Sequence, residues 1–275
     1  RTEKLGCKAA IASEAPSNMA PPPISIVKSV YLTTILKYKV RSQINAADFI
    51  INFSGDADVK LRSIGWKKNN IINCGYYSPP LLESAFTTRE SEHWSNFTIL
   101  MTGRLEWHRN PMVLLKAMHI LKLRGISSKA IITQEGPLLE RVRQFAHKHK
   151  LNVDLRGFVS YDELLYLYQT CSCFIASGRS EPWGIRVNDA LHCGAPLLVS
   201  EGMGAKKIVK DYGCGLVFSN NDPDDLANKL EYLITDKSRY LAIVNKVKQA
   251  SLECLPVAMS SRIADEIKSR YNSWR

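Results

Sequence analysis

The densest grouping of chemically capable side chains runs Ser177-Gly178-Arg179-Ser180-Glu181-Pro182-Trp183-Gly184-Ile185-Arg186-Val187-Asn188-Asp189-Ala190, directly after an apolar stretch, Cys173 to Ala176. Two carboxylates, Glu181 and Asp189, stand eight positions apart. On a helix opening at Gly184 that spacing is about two turns, roughly 12 Å of rise. A glycosidase that retains configuration needs two carboxyls about 5–5.5 Å apart, so this pair is expected to address different parts of one long ligand. Gly184 lets that ligand approach the backbone closely. The plainer alternative has Glu181 capping the helix and Asp189 as a solvated charge. A second loop, Gly103-Arg104-Leu105-Glu106-Trp107-His108-Arg109-Asn110, places two guanidiniums five positions apart around a helix start. Forked guanidinium groups suit a diphosphate, although two surface charges would look the same. Glu135-Gly136-Pro137-Leu138-Leu139 and Glu201-Gly202-Met203-Gly204-Ala205 are two further turns opening helices. Each alone is an ordinary connection. All four follow an apolar strand, and one ligand site accounts for all of them.

The elements that must position these loops alternate regularly. Strands are predicted at 97–101, 129–133, 153–155, 173–176, 196–200 and 215–218. Helices are predicted between them at 111–123, 137–150, 162–170, 184–192 and 205–211, and another from Pro223 with Asp222 as its N-cap. This alternation, with short Gly-marked loops, predicts an α/β fold with a Rossmann-like doubly wound parallel sheet. Residues 1–88 read as an incomplete α/β domain: strands at 9–13 and 48–53, a short helix at 60–64 ending at Gly65, and a basic amphipathic helix at 24–41. The expected organisation is 1–88, a partial domain and linker, then 89–258, a complete ligand-binding domain, then 259–275, a helix packing back toward the N-terminal part.

Composition narrows the function classes. The chain has 275 residues, 45% hydrophobic and 23% charged, which excludes a disordered or fibrous protein. Its net charge of +11 favours anionic partners. Nucleic acid is not expected among them, because the aromatics do not interleave with a Lys/Arg stripe and no binding module is visible. The seven cysteines are scattered without C-x-x-C pairs, which points to reduced thiols in the cytoplasm. No metal-ligand cluster is evident; His147 and His149 sit in a basic helix and read as solvated. No apolar run reaches bilayer-spanning length. The chain opens Arg1-Thr2-Glu3, without an initiator Met, and is expected to be processed or part of something longer.

From residue 97 to about 235 the motifs resemble, in order and spacing, the C-terminal domain of a GT-B glycosyltransferase of the large retaining family 4. The resemblance rests on Gly103-Arg104-Leu105, Arg109, Gly136-Pro137-Leu138, Arg156-Gly157-Phe158-Val159, Glu181-x-x-Gly184 and Ala190-Leu191-x-x-Gly194-x-Pro196. It implies that Glu181 contacts the donor sugar and Asp189, where the family has a second glutamate, the ribose. Arg104 and Arg109 would hold the diphosphate; the family usually has Lys at the second position. Phe158 and Val159 would lie near the base, and Gly103, Gly136, Pro182, Trp183, Gly184 and Ile185 would complete the donor site. Glu14 would occupy the acceptor-side catalytic region, where many relatives place a His, in an N-terminally truncated acceptor domain.

The resemblance further implies metal-independent transfer, with retention, from a UDP- or GDP-sugar to a polysaccharide, lipopolysaccharide or lipid-linked glycan precursor. No cofactor is expected beyond the nucleotide sugar as co-substrate. The basic segment 24–41 suits a helix lying on anionic lipid, placing the protein on the inner face of the membrane; an ordinary surface helix has the same pattern. The rival reading is a non-catalytic sugar-nucleotide-binding or interaction protein derived from such an enzyme.

Overall fold

The computed structural model describes residues 10–13, 38, 41–55, 58–66, 70–81, 86–87 and 91–273. Glu14 and nearly all of the segment 24–41 lie outside the described residues. Nine strands build two sheets among the described residues. β1 (Ala10–Ser13), β2 (Phe49–Asn52) and β3 (Ile71–Asn73) pair in parallel in that order. Ala47, Ile50, Leu61, Trp66 and Ile71 form the small core beside them, with α1 (Arg41–Ala46) and α2 (Asp58–Ser63) alongside, and α3 (Ser91–Ser95) precedes the larger sheet.

The larger sheet holds β4 (Thr98–Met101), β5 (Lys129–Thr133), β6 (Asn152–Gly157), β7 (Cys173–Ala176), β8 (Leu197–Ser200) and β9 (Gly215–Phe218). All are parallel, in the order β6-β5-β4-β7-β8-β9. β7 and β8 are buried at every residue, as parallel strands covered by helices on both faces must be. Leu100, Phe174, Leu197 and Val199 meet α6 (Tyr161–Thr170), α7 (Arg186–His192) and α8 (Lys206–Tyr212) on one face. Ile99, Met101, Ile132, Ile175 and Leu198 meet α4 (Pro111–Leu123), α5 (Leu139–Lys148) and α9 (Pro223–Ile234) on the other. The sheet is therefore doubly wound as the alternation implied.

Local chemistry sets the helix starts. Asp222 accepts from the amides of Asp224 and Asp225, and Pro223 occupies the first helical position, as expected. Boundaries of the described elements fall within three residues of expectation, and two of the shifts matter here. The helix expected from Gly184 begins at Arg186, because Gly184 takes a φ of 102°, which a right-handed helix does not accommodate. The C-terminal helix expected at 259–275 starts earlier, as α11 (Pro256–Ser273), after α10 (Lys237–Glu253) ends ahead of Pro256.

Contacts between the two sheets' layers are close. A Cβ on Gly55 would lie 2.6 Å from the Gly204 carbonyl oxygen, and one on Gly75 would collide with the Trp183 ring. The Asn188 amide donates to the Tyr76 carbonyl at 2.8 Å. Among the described residues no helix is long and apolar enough to cross a membrane.

Candidate active site

In an open parallel sheet the chain winds away in opposite directions from the point where strand order reverses, leaving a crevice at the carboxyl ends of the two central strands. Here those strands are β4 and β7. A cleft opens there. Its walls include Thr102 beyond β4, Ser177 and Gly178 beyond β7, Arg109, Glu181, and Gly184 to Arg186.

Side-chain hydrogen bonds fix the two loops to one another. Ser177 Oγ donates to the Arg109 carbonyl at 2.7 Å. The Arg179 amide donates to the His108 carbonyl at 2.7 Å, and its guanidinium reaches the Trp107 carbonyl and Asn110 Oδ1 while stacking over the Trp107 ring. The short 3-10 turn Trp107–Arg109 that carries Arg109 is thus held from beneath by β7's loop. Gly136 packs against the backbone of Leu105, whose amide donates to the Glu135 carbonyl at 3.0 Å and whose carbonyl accepts from the Leu138 amide at 3.0 Å. Gly136 serves the site as the seat of the Arg104 loop.

Glu181 is equally constrained. Its amide donates to the Gly202 carbonyl at 3.0 Å and its carbonyl accepts from the Gly204 amide at 3.1 Å, a single parallel bridge with the loop after β8. A Cβ on Gly202 would collide with the Arg179 carbonyl, and one on Gly204 with the Pro182 carbonyl. These glycines are required for close approach of backbones. The carboxylate so placed stands 3.8 Å from the Arg109 guanidinium, both side chains being half-buried.

The expected residues separate into groups. Gly103, Arg109, Glu181, Gly184 and Ile185 come together at the cleft. Arg104 does not line it: its side chain is 65% exposed and its Nε pairs with Glu106 Oε1 at 3.0 Å. Glu106 also takes the His108 ring at 3.3 Å, so this carboxylate turns Arg104 outward. Trp183 is buried in the core, its Nε1 donating to Asn188 Oδ1 at 2.9 Å and its ring edge meeting Tyr77. Pro182 borders the adjoining recess with Ser54, Glu181, Gly202 and Gly204. Phe158, exposed, and Val159, half-buried, follow β6 at the edge of the sheet.

Asp189 lies in the first turn of α7 and not two turns along it. Burial raises the Asp189 carboxyl to about 6, with the nearby Arg186 charge opposing the shift.

Arg186 is the site residue whose role the sequence did not reveal. A Cβ on Gly103 would collide with its Nη1 and lie 3.0 Å from Arg109 Nη1, so the two guanidiniums crowd one glycine. Arg186 Nη1 is buried without a hydrogen-bond partner. Burial, followed by the Arg109 charge, lowers its pKa. Its only sequence signal is a charge set between Ile185 and Val187 in an otherwise apolar stretch. Among the described residues no group of three or more His, Cys, Asp or Glu side chains is placed to hold a metal ion.

Comparison with known proteins gives this arrangement a family. Residues 87–250 match the family model described as glycosyl transferases group 1. An uncharacterised glycosyltransferase of Methanocaldococcus jannaschii is 28% identical over 155 residues, 55% of this chain and 39% of that protein. An N-acetylgalactosaminyltransferase of Campylobacter jejuni, named for an undecaprenol-diphosphate-linked acceptor, is 28% identical over 152 residues, 55% of this chain and 42% of that protein. The chain spans well under half the length of these two relatives. HepE of Anabaena, solved with UDP, superposes with a TM-score of 0.72 at 16% identity, over 98% of this chain and 74% of that one, a likeness of fold. Sucrose-phosphate synthase of Thermosynechococcus elongatus superposes at 0.66 and 15% identity, over 99% and 76%. With that family model covering more than half of its length, this chain belongs to the glycosyl transferases group 1 family and carries the GT-B fold.

Proposed function

We propose that the chain is the donor-binding part of an enzyme that moves a sugar from a UDP- or GDP-sugar to a glycan or lipid-linked acceptor, with retention at the anomeric carbon. The observation that carries this reading is the meeting of Arg109 and Glu181 at the ends of the two central strands. Glycosyl transfer leaves negative charge on the departing diphosphate while positive charge grows on the sugar carbon. A fixed, partly desolvated guanidinium aimed at the leaving group stabilises that separation without reorganising. Arg109 takes this role, with no metal ion in the scheme, and Glu181 receives hydroxyls of the donor sugar. Asp189 accepts from the ribose, and Phe158 and Val159 lie toward the base.

Arg104 joins the diphosphate only by leaving Glu106, so its part is secondary. Glu14 is proposed for the acceptor side on resemblance alone. Two relatives support a lipid-linked acceptor by their names: the Campylobacter enzyme above and a phosphatidylinositol dimannoside mannosyltransferase of Mycobacterium tuberculosis, 26% identical over 157 residues. The basic segment 24–41 fits an anionic surface on the cytoplasmic side of a membrane.

The test is incubation with a panel of UDP- and GDP-sugars and lipid-linked acceptors. Free nucleoside diphosphate should appear only with acceptor present, and NMR of the product should show the donor's anomeric configuration. Tight donor binding with no acceptor-dependent release would establish the non-catalytic alternative. An inverted product would refute retention.

A further inference from the structure

Resting on that reading, we propose that Arg186 is a second cation of the diphosphate site, held in the cleft beside Arg109 to receive a nucleoside diphosphate. Three observations meet at this side chain. It lines the cleft between β4 and β7 together with Arg109, Gly184 and Glu181. Its Nη1 is buried and lacks any hydrogen-bond partner, although a guanidinium carries five donors in a rigid fork. It crowds Gly103 from the same side as Arg109, so two like charges face one small volume.

A guanidinium nitrogen buried without a hydrogen-bond partner is unfavourable, and proteins seldom leave one in place without a use. The charge inside the cleft does not cancel: Arg109 and Arg186 face a single lining carboxylate, Glu181, which stands against Arg109. Glu181 and Asp189 act on Arg186 through their charge, and neither satisfies its Nη1. The missing partner is therefore an anion with more than one charged oxygen face. Two adjacent phosphates offer one face to each guanidinium by forked, charge-assisted hydrogen bonds. A nucleoside monophosphate offers a charged oxygen face to only one of the two guanidiniums. The arrangement predicts preference for the diphosphate over the monophosphate, with Arg186 filling the place that Arg104, held outward by Glu106, does not occupy.

The experiment uses the full chain and two variants, Arg186→Met and Arg186→Lys, titrated calorimetrically with UDP, UMP and uridine and with GDP, GMP and guanosine. The thermal melt of each free protein is recorded alongside. In the unchanged chain the diphosphate should bind at least tenfold more tightly than the monophosphate. Arg186→Met should lose at least tenfold in diphosphate affinity, leave the nucleoside within twofold, and reduce the salt dependence of binding. Arg186→Lys should recover part of the loss. The melting temperature of free Arg186→Met should equal or exceed that of the unchanged chain, because the desolvated charge is gone. Equal losses for diphosphate and nucleoside, or an unchanged diphosphate affinity, overturn the proposal while leaving the donor-binding function standing. A lower melting temperature with unchanged binding assigns Arg186 to the fold and also overturns it. If the unchanged chain binds neither UDP nor GDP, the proposed function fails and takes this inference with it.

Discussion

Replacing Asn188 with leucine tests whether Trp183 is a donor contact or the clasp between the two sheets. Asn188 is fully buried, and its amide makes two bonds in opposite directions. Its Oδ1 accepts from Trp183 Nε1 at 2.9 Å and its Nδ2 donates to the Tyr76 carbonyl at 2.8 Å. Leucine has nearly the same shape and neither polar group, so both partners are left behind. A buried donor or acceptor stripped of its partner costs about 1–3 kcal/mol. Trp183 is sealed in the core and should show the full penalty; Tyr76 is 45% exposed, so its carbonyl regains some hydration. The expected loss is about 2–4 kcal/mol, a fall in Tm of roughly 4–16 °C for a chain of this size.

Urea unfolding followed by tryptophan fluorescence reads the loss directly. A cycle with Trp183→Phe, which removes the same donor, should show coupling of about 1 kcal/mol between the two positions. Nucleoside diphosphate affinity, measured well below the melting point, should change less than threefold, because neither side chain faces the Arg109 cleft. A loss under 1 kcal/mol, or a tenfold drop in affinity with stability intact, refutes this account of Trp183.

Arg109→Ala should lower kcat by at least tenfold in the complete enzyme, since it removes the charge beside Glu181; unchanged steady-state kinetics would sink the proposed leaving-group role. Asp189 carries a carboxyl raised from 3.8 to about 6 by burial. The folded state thus favours its protonated form, a contribution present below about pH 4 and lost as pH rises through about 6. Asp189→Asn should accordingly melt with the unchanged chain at pH 4 and above it at pH 7.5, by on the order of 3 kcal/mol at most; a pH-independent difference would contradict the burial argument. Gly204→Ala would drive a methyl group into the Pro182 and Ser54 carbonyls, and overpacking against backbone should cost about 1–3 kcal/mol or more in urea unfolding. A neutral result there would show that the loop after β8 yields freely.

Much of the donor half is legible from local chemistry. Apolar strands such as Cys173–Ala176 and Leu197–Ser200 announce burial on both faces. Asp222 followed by Pro223 announces a helix start by the bonds its side chain can make to nearby amides. Repeated strand-then-helix order gives the winding, and the winding alone places four loops at one end of a sheet. The cleft's location and Arg109 and Glu181 within it follow from that periodicity.

Which neighbouring side chain turns inward is a different kind of question. Arg104 and Arg186 each follow a strand in one of those loops, and nothing in their immediate neighbours ranks them. Glu106 decides the first by drawing Arg104 to the surface. The left-handed turn at Gly184 decides the second, by starting α7 late enough for its first residue to point at Gly103. Trp183 beside a glycine reads equally well as a stacking surface or as core, until residues 75–77, more than a hundred positions earlier, close over it. Periodicity and capping act within a few residues and are written in the chain. Burial, counter-charge and close approach are set by partners distant in sequence, and those came only with the tertiary structure.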